Sequence, residues 1–175
     1  MGSEMCIRDS IISQNNNIPR IRAILFRLCR ALGEERAFCG ERYFSFPSAA
    51  VLAEQGEPFF RSAGCGYRAR YLAETARVLA DGGAERLRSM PAEKLRGELM
   101  RLPGVGPKVA DCILLFAFHR TEAFPVDTWV EKAYRQLGGT LRGRGKIAAS
   151  LEERFGELSG YVQQYLFYYE RDGRK

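Results

Sequence analysis

The run Leu102-Pro103-Gly104-Val105-Gly106-Pro107-Lys108-Val109-Ala110-Asp111 constrains this chain more than any other part of it. Before it, Leu95, Leu99 and Leu102 recur at the three-to-four spacing of a buried helical face, and after it Val109, Cys112, Ile113 and Phe116 do the same. Two glycines between two such helices bend the chain tightly. They also leave backbone N–H groups bare at the start of the second helix, where the dipole favours an anion. Taken alone, Gly104 and Gly106 also read as an ordinary helix–turn–helix loop. Lys108 narrows the choice, because the first turn of a helix disfavours a cation and a lysine there calls for a chemical reason.

One helix further on, Pro125-Val126-Asp127 brings a carboxylate. This combination resembles the helix–hairpin–helix DNA glycosylase superfamily, in which Leu-Pro-Gly-Val-Gly leads to a catalytic lysine and a Val-Asp follows one helix later. Ser13 to Ile21, with its Asn15-Asn16-Asn17-Ile18-Pro19-Arg20 core, and Gly160 to Phe167 look like the 8-oxoguanine DNA glycosylase/lyase family, bacterial type. The resemblance covers residues 11 to 171.

The resemblance implies a base-excision-repair glycosylase with lyase activity that excises 8-oxoguanine from duplex DNA. Lys108 would attack C1′ of the sugar and form a Schiff base. Asp127 would stabilise the positive charge that builds on the sugar as the N-glycosidic bond breaks. As residues alone, the two also permit plainer roles, and Asp127 before Thr128-Trp129-Val130 reads as a helix N-cap. The target base must be flipped out of the duplex. The resemblance places Cys112 and Phe167 on its two faces and Gln163 on its Watson–Crick edge. Without it, Cys112 reads as core, Phe167 as aromatic packing within Tyr165 to Tyr169, and Gln164 competes with Gln163. Asn15, Arg20 and Arg68 match residues that fill the vacated space and read the opposite cytosine, and Tyr67 matches the wedge beside the lesion. Gly104, Val105 and Gly106 complete the DNA-binding set. On their own the asparagines read as a capped polar turn, and the arginines as surface charge. Trp129 departs from the histidine of many eukaryotic members and is expected either to pack on Phe167 or to join the core.

Two readings compete with this one: a lyase-competent relative acting on another oxidised base, and a non-catalytic DNA-binding fragment. A net charge of +6 and a pI near 9.2 suit a polyanionic partner without choosing DNA over RNA or an anionic membrane. Arg135, Arg142, Arg144 and Lys146 cluster after the candidate site. Five cysteines with no C-x-x-C pair argue for a reducing compartment and against a disulfide framework. No metal site is legible. No cysteine follows Cys112, so the iron–sulfur branch of the superfamily does not fit, and no cofactor is expected. No apolar run is long enough to span a bilayer and no signal peptide is visible. The expected partner is double-stranded DNA containing oxidised guanine, met by a monomer in a bacterial cytoplasm.

At 175 residues the chain suits a single domain, and an all-α fold follows from the periodicity, without strands. Residues 1–10 carry neither a helical nor a strand period and look like a foreign junction, so the glycosylase domain is expected over 11–175. The family's N-terminal β-rich domain is missing, and with it the main-chain carbonyl that would accept the N7 proton of 8-oxoguanine. Weak excision with surviving abasic-site nicking is the expectation for such a form.

Overall fold

The computed structural model describes residues 3–173, apart from the side chains of residues 3 and 172, and divides the chain into two units, Met1–Val105 and Gly106–Lys175. In the first unit, α1 (Ser3–Ser13) and α2 (Ile18–Leu32) precede a hairpin of β1 (Glu35–Phe38) and β2 (Glu41–Phe44). Then come α3 (Ala49–Ala53), α4 (Glu57–Ser62), α5 (Arg68–Val78), α6 (Ala84–Arg88) and α7 (Ala92–Leu99). α5 is the centre, and α1, α3 and α4 pack on it. Its buried positions include Ala69, Ala73 and Ala76, small side chains that let neighbouring backbones approach closely. The second unit contains α8 (Pro107–Ala117), α9 (Thr128–Gln136), α10 (Arg144–Phe155) and α11 (Ser159–Asp172). α11 packs on α9 and α10, over a core of Phe124, Val126, Val130, Ile147, Ala148 and Leu151.

Most helices fall where the apolar spacing puts them. α2 buries Ile24 and Leu28 and is capped at its start by Asn17, whose side chain accepts the Arg20 N–H. α5 ends in a π-helical turn in which Gly82 has φ of 75°, at the Asp81-Gly82-Gly83 stop.

Two features depart from the sequence reading. The stretch read as a foreign junction is helical from Ser3, and α1 buries Ile7, Ile11 and Ile12 although the sequence there carries no clear apolar period. The buried face is formed by only three isoleucines, and Arg8 is buried beside them, donating to the carbonyls of Glu4 and Pro47 with its guanidinium 4.9 Å from the Phe46 ring. A buried arginine on that face hides the helical period from a hydrophobicity reading. The all-α class holds, with one small two-stranded hairpin that the helical reading did not include. β1 and β2 pair antiparallel, Glu35 opposite Phe44 and Phe38 opposite Glu41. Cys39 (φ 49°) and Gly40 (φ 80°) form the two-residue turn, the left-handed pair that matches strand twist. The hairpin is exposed, so no alternating apolar pattern announces it.

The turn after α7 is fixed at Gly104. Its φ is 78°, and a Cβ there would lie 2.4 Å from the Tyr71 ring. Val105 is buried, with its N–H donating to Leu102 at 3.0 Å. Gly104→Ala is therefore expected to cost about 2–4 kcal/mol, combining left-handed strain with overpacking. A urea midpoint equal to that of the unsubstituted chain would contradict it.

Asp9 supplies a second expectation. Burial raises its carboxyl from the usual 3.8 to about 6, against the opposing pull of Arg8, and Oδ1 has no hydrogen-bond partner. A folded-state pKa above the unfolded one means that stability is intact below the unfolded value and is lost as pH rises through about 6. Asp9→Asn should thus stabilise the chain by roughly 1–3 kcal/mol at pH 7 and by almost nothing near pH 4. Denaturation at the two pH values checks it, and a gain of equal size at both would remove the charge as its cause.

Candidate active site

Gly106 is extended (φ −90°, ψ 179°) and caps α8 without a side-chain hydrogen bond, and Pro107, which has no N–H, takes the first helical position. The first intrahelical bond recorded there runs from the Ala110 N–H to the Gly106 carbonyl at 2.9 Å. Lys108 follows Pro107 in that first turn, half-buried, while Val109, Ala110, Ile113 and Leu114 bury the opposite face.

Cys112 lies one turn beyond Lys108, so the two side chains share a face. The Lys108 ammonium hydrogen-bonds the Cys112 thiol. Burial pushes the thiol above its ordinary range, Lys108 pulls it back, and Asp127 and Asp111 add to the rise. At neutral pH Cys112 is therefore a neutral thiol. It is half-buried rather than core, with a cation and two carboxylates in its electrostatic neighbourhood.

Asp127 enters from an extended segment and caps α9, its Oδ1 accepting the Val130 N–H at 2.9 Å. The cap engages one carboxylate oxygen and leaves the other for chemistry. Cap and catalytic candidate are thus the same residue.

α11 contributes Gln163, which is buried. Its Nε2 donates to the Pro125 carbonyl at 3.2 Å and its Oε1 accepts from Gln164 Nε2 at 2.6 Å. Gln164 is only half-buried, which separates the two amides. Phe167, one turn on, is half-buried against the Phe124 and Val130 core and stands edge-on to Tyr168, with the Arg171 guanidinium 4.9 Å from its ring. Trp129 is not core: it is 42% exposed, and its nearby cation is Lys132, 5.8 Å from the ring.

The other candidates belong to the first unit. Asn15 is exposed, with φ of 45°, at the turn between α1 and α2. Asn16 donates to the Ile12 carbonyl and Asn17 caps α2, so these two have the plainer role. Tyr67 is 49% exposed and stands edge-on to Tyr71. Arg68 is 2% exposed, its guanidinium 4.4 Å from the Tyr67 ring. It donates to the carbonyls of Gln14 (2.9 and 2.6 Å), Asn15 (2.6 Å) and Cys65 (3.4 Å). Arg20 is exposed and donates to the Gly64 carbonyl at 3.2 Å. Arg27, which the sequence did not single out, donates to the Ala63 carbonyl at 2.7 Å. Three successive carbonyls, of residues 63, 64 and 65, thus each accept from an arginine. No motif marks Arg27, because its partner is a backbone atom.

Of the basic cluster after the site, Arg144 pairs with Glu131 at 3.0 Å and Arg135 lies 3.9 Å from the same carboxylate, while Arg142 and Lys146 are exposed. Among the described residues no three His, Cys, Asp or Glu side chains are grouped to hold a metal ion, and no helix is long and apolar enough to cross a membrane.

The sequence matches the family model described as HhH-GPD superfamily base excision DNA repair protein over residues 9–157. A probable N-glycosylase/DNA lyase of Methanothermobacter thermautotrophicus is 37% identical, over 95% of this chain and 60% of its own length. The N-glycosylase/DNA lyase OGG1 of Arabidopsis thaliana is 36% identical, over 97% of this chain and 50% of its own. The 8-oxoguanine glycosylase/lyase of Clostridium acetobutylicum, solved with double-stranded DNA containing cytosine opposite 8-oxoguanine, superposes with a TM-score of 0.93 at 37% identity. That match covers 100% of this chain and 61% of the Clostridium chain, so this chain spans between half and three fifths of these relatives. By its hairpin, by its lysine and carboxylate, and by the family match over residues 9–157, the chain belongs to the HhH-GPD superfamily of base excision DNA repair proteins.

Proposed function

We propose that this chain carries the catalytic helices of a monomeric, bifunctional DNA glycosylase and abasic-site lyase that removes 8-oxoguanine from duplex DNA. The observation that carries the reading is the Cys112 thiol, which is hydrogen-bonded by Lys108 and senses the charge of Asp127. A nucleophile and a carboxylate therefore share one neighbourhood at the start of α8.

Neutral Lys108 Nζ attacks C1′ of the flipped nucleotide, and the electrons of the C1′–N9 bond leave with the base, which is released protonated. The sugar is cationic while that bond breaks, and the free oxygen of Asp127 stabilises it. Loss of a proton from nitrogen and opening of the C1′–O4′ bond give the Schiff base. Removal of a C2′ proton then expels the 3′ phosphate and nicks the strand. No cofactor is needed, since nothing is oxidised or reduced.

Gln163 suits the base edge. Its Nε2 is turned to Pro125, which leaves the carbonyl oxygen, beside the Gln164 amide, as the atom to meet the N1–H and N2–H donors of a guanine-type base. Cys112 and Phe167 supply the apolar faces. On the first unit, Asn15 and Tyr67 present exposed side chains for the vacated space, and Arg20 and Arg68 supply donors for the O2 and N3 acceptors of the orphaned cytosine.

Lys108→Gln is expected to abolish borohydride trapping on an abasic duplex while leaving lesion binding within a few-fold. Asp127→Asn should slow single-turnover base release by about 10²–10³-fold at unchanged affinity, as loss of a group acting on developing charge does. Trapping of the Lys108 variant at the unsubstituted level would remove the reading.

Arg20→Ala should narrow the preference for cytosine over adenine opposite the lesion by about 1–3 kcal/mol. Arg68→Ala should do the same and also lower stability, since Arg68 ties the Gln14 and Asn15 carbonyls. Affinities for both duplexes at two salt concentrations check this. Uniform weakening with a shallower salt slope would assign Arg20 to phosphate instead.

A further inference from the structure

Asp127 is delivered by residues 123–126, all of them buried. A buried backbone group needs a partner, and here the partners come from side chains of other helices. The Ala123 N–H is used locally, donating to the Arg120 carbonyl at 3.1 Å. The next donor, the Phe124 N–H, is taken by Glu152 Oε1 on α10 at 3.1 Å. Pro125 has no N–H, and its carbonyl accepts from Gln163 on α11. After Val126 the chain reaches Asp127, which caps α9. Glu152 is placed for this by the buried face of α10, where Ile147, Ala148 and Leu151 join the same core as Phe124 and Val126.

We propose that Glu152 is a positioning residue for Asp127. Its carboxylate fixes Phe124, opposite the Gln163 contact at Pro125, and so sets the register in which the extended segment presents Asp127 beside Cys112 and Lys108. The proposal rests on the reading of Asp127 as the carboxylate that stabilises the sugar. Glu152 touches neither DNA nor Lys108 in this scheme. It acts on rate by holding Asp127 in place, and misplacing a catalytic group by a fraction of an ångström is costly.

The test uses the full 175-residue chain and single-turnover base release from an 8-oxoguanine duplex, with DNA affinity measured in parallel. Glu152→Gln keeps an oxygen acceptor of the same reach and is expected to stay within about twofold of the unsubstituted rate. Glu152→Ala and Glu152→Asp, which remove or retract the acceptor, should lower the rate roughly ten- to a hundredfold with affinity unchanged. Glu152→Asp, which keeps the charge, carries the test if the alanine variant does not fold. In an Asp127→Asn background the same changes should add less than about twofold, because residues acting through one group are not additive. Undiminished rates for the aspartate variant, a glutamine variant as slow as it, or full additivity with Asp127→Asn would each overturn the proposal. If Asp127→Asn itself left the rate unchanged, the catalytic reading of Asp127 would fall, and the proposal with it.

Discussion

A lysine in the first turn of a helix is held against the helix dipole, and much of the second unit is arranged around that conflict. Pro107 and Gly106 start α8 without any side-chain acceptor, so the cap does nothing to neutralise Lys108. Relief comes from one turn later and from another helix: the Cys112 thiol accepts from the ammonium, and the Asp127 charge is close enough to affect the same thiol. A thiol is a weak acceptor and a carboxylate a strong one. The lysine is thereby held without being locked into a tight ion pair, which suits the nucleophilic role proposed for it.

Holding a carboxylate at such a place has its own cost, because the chain leading to it is buried and irregular. Helices satisfy their own backbone groups, whereas residues 123–127 cannot. Glu152 and Gln163 supply partners from two other helices, and Asp127 in turn caps α9. Gln163 serves twice in this scheme, as a support for Pro125 and as an acceptor for the base edge. Its amide orientation follows from the first task, and under the proposed function that leaves Oε1 for the base.

The hairpin motif, the helices from α2 onward that carry three or four apolar residues per face, and the places of Lys108 at the start of α8 and of Asp127 as the α9 cap were legible in the sequence, because each rests on local spacing. What was not legible rests on partners distant in the chain. α1 packs three isoleucines and a buried arginine on α5, so its helicity owes more to tertiary burial than to period. The β1–β2 hairpin is exposed and held by backbone bonds, and its signal lay only in Cys39-Gly40. Glu152 reaches a backbone N–H 28 residues earlier, and no motif records a bond to the main chain. Arg68 is the sharpest case. A charged residue in a polar neighbourhood reads as surface, yet it is 2% exposed because carbonyls of two separate turns surround it.

Under the proposed function, that burial bears on how the first unit would meet DNA. Arg68 links the Asn15 turn to the loop before α5, and Arg20 and Arg27 hold the same loop by its neighbouring carbonyls. Asn15 and Tyr67 are thereby presented from segments cross-tied by guanidinium groups, and each keeps its side chain exposed. Arg68 is itself buried, and a buried donor left without an acceptor costs about 1–3 kcal/mol, so under the proposed function it would give up its present bonds only for acceptors of equal quality. The O2 and N3 atoms of an unpaired cytosine are such acceptors, and a paired cytosine offers neither freely. Under the proposed function, selectivity for an orphaned base would follow from this exchange, the arginine staying with its own backbone unless the duplex has already been opened.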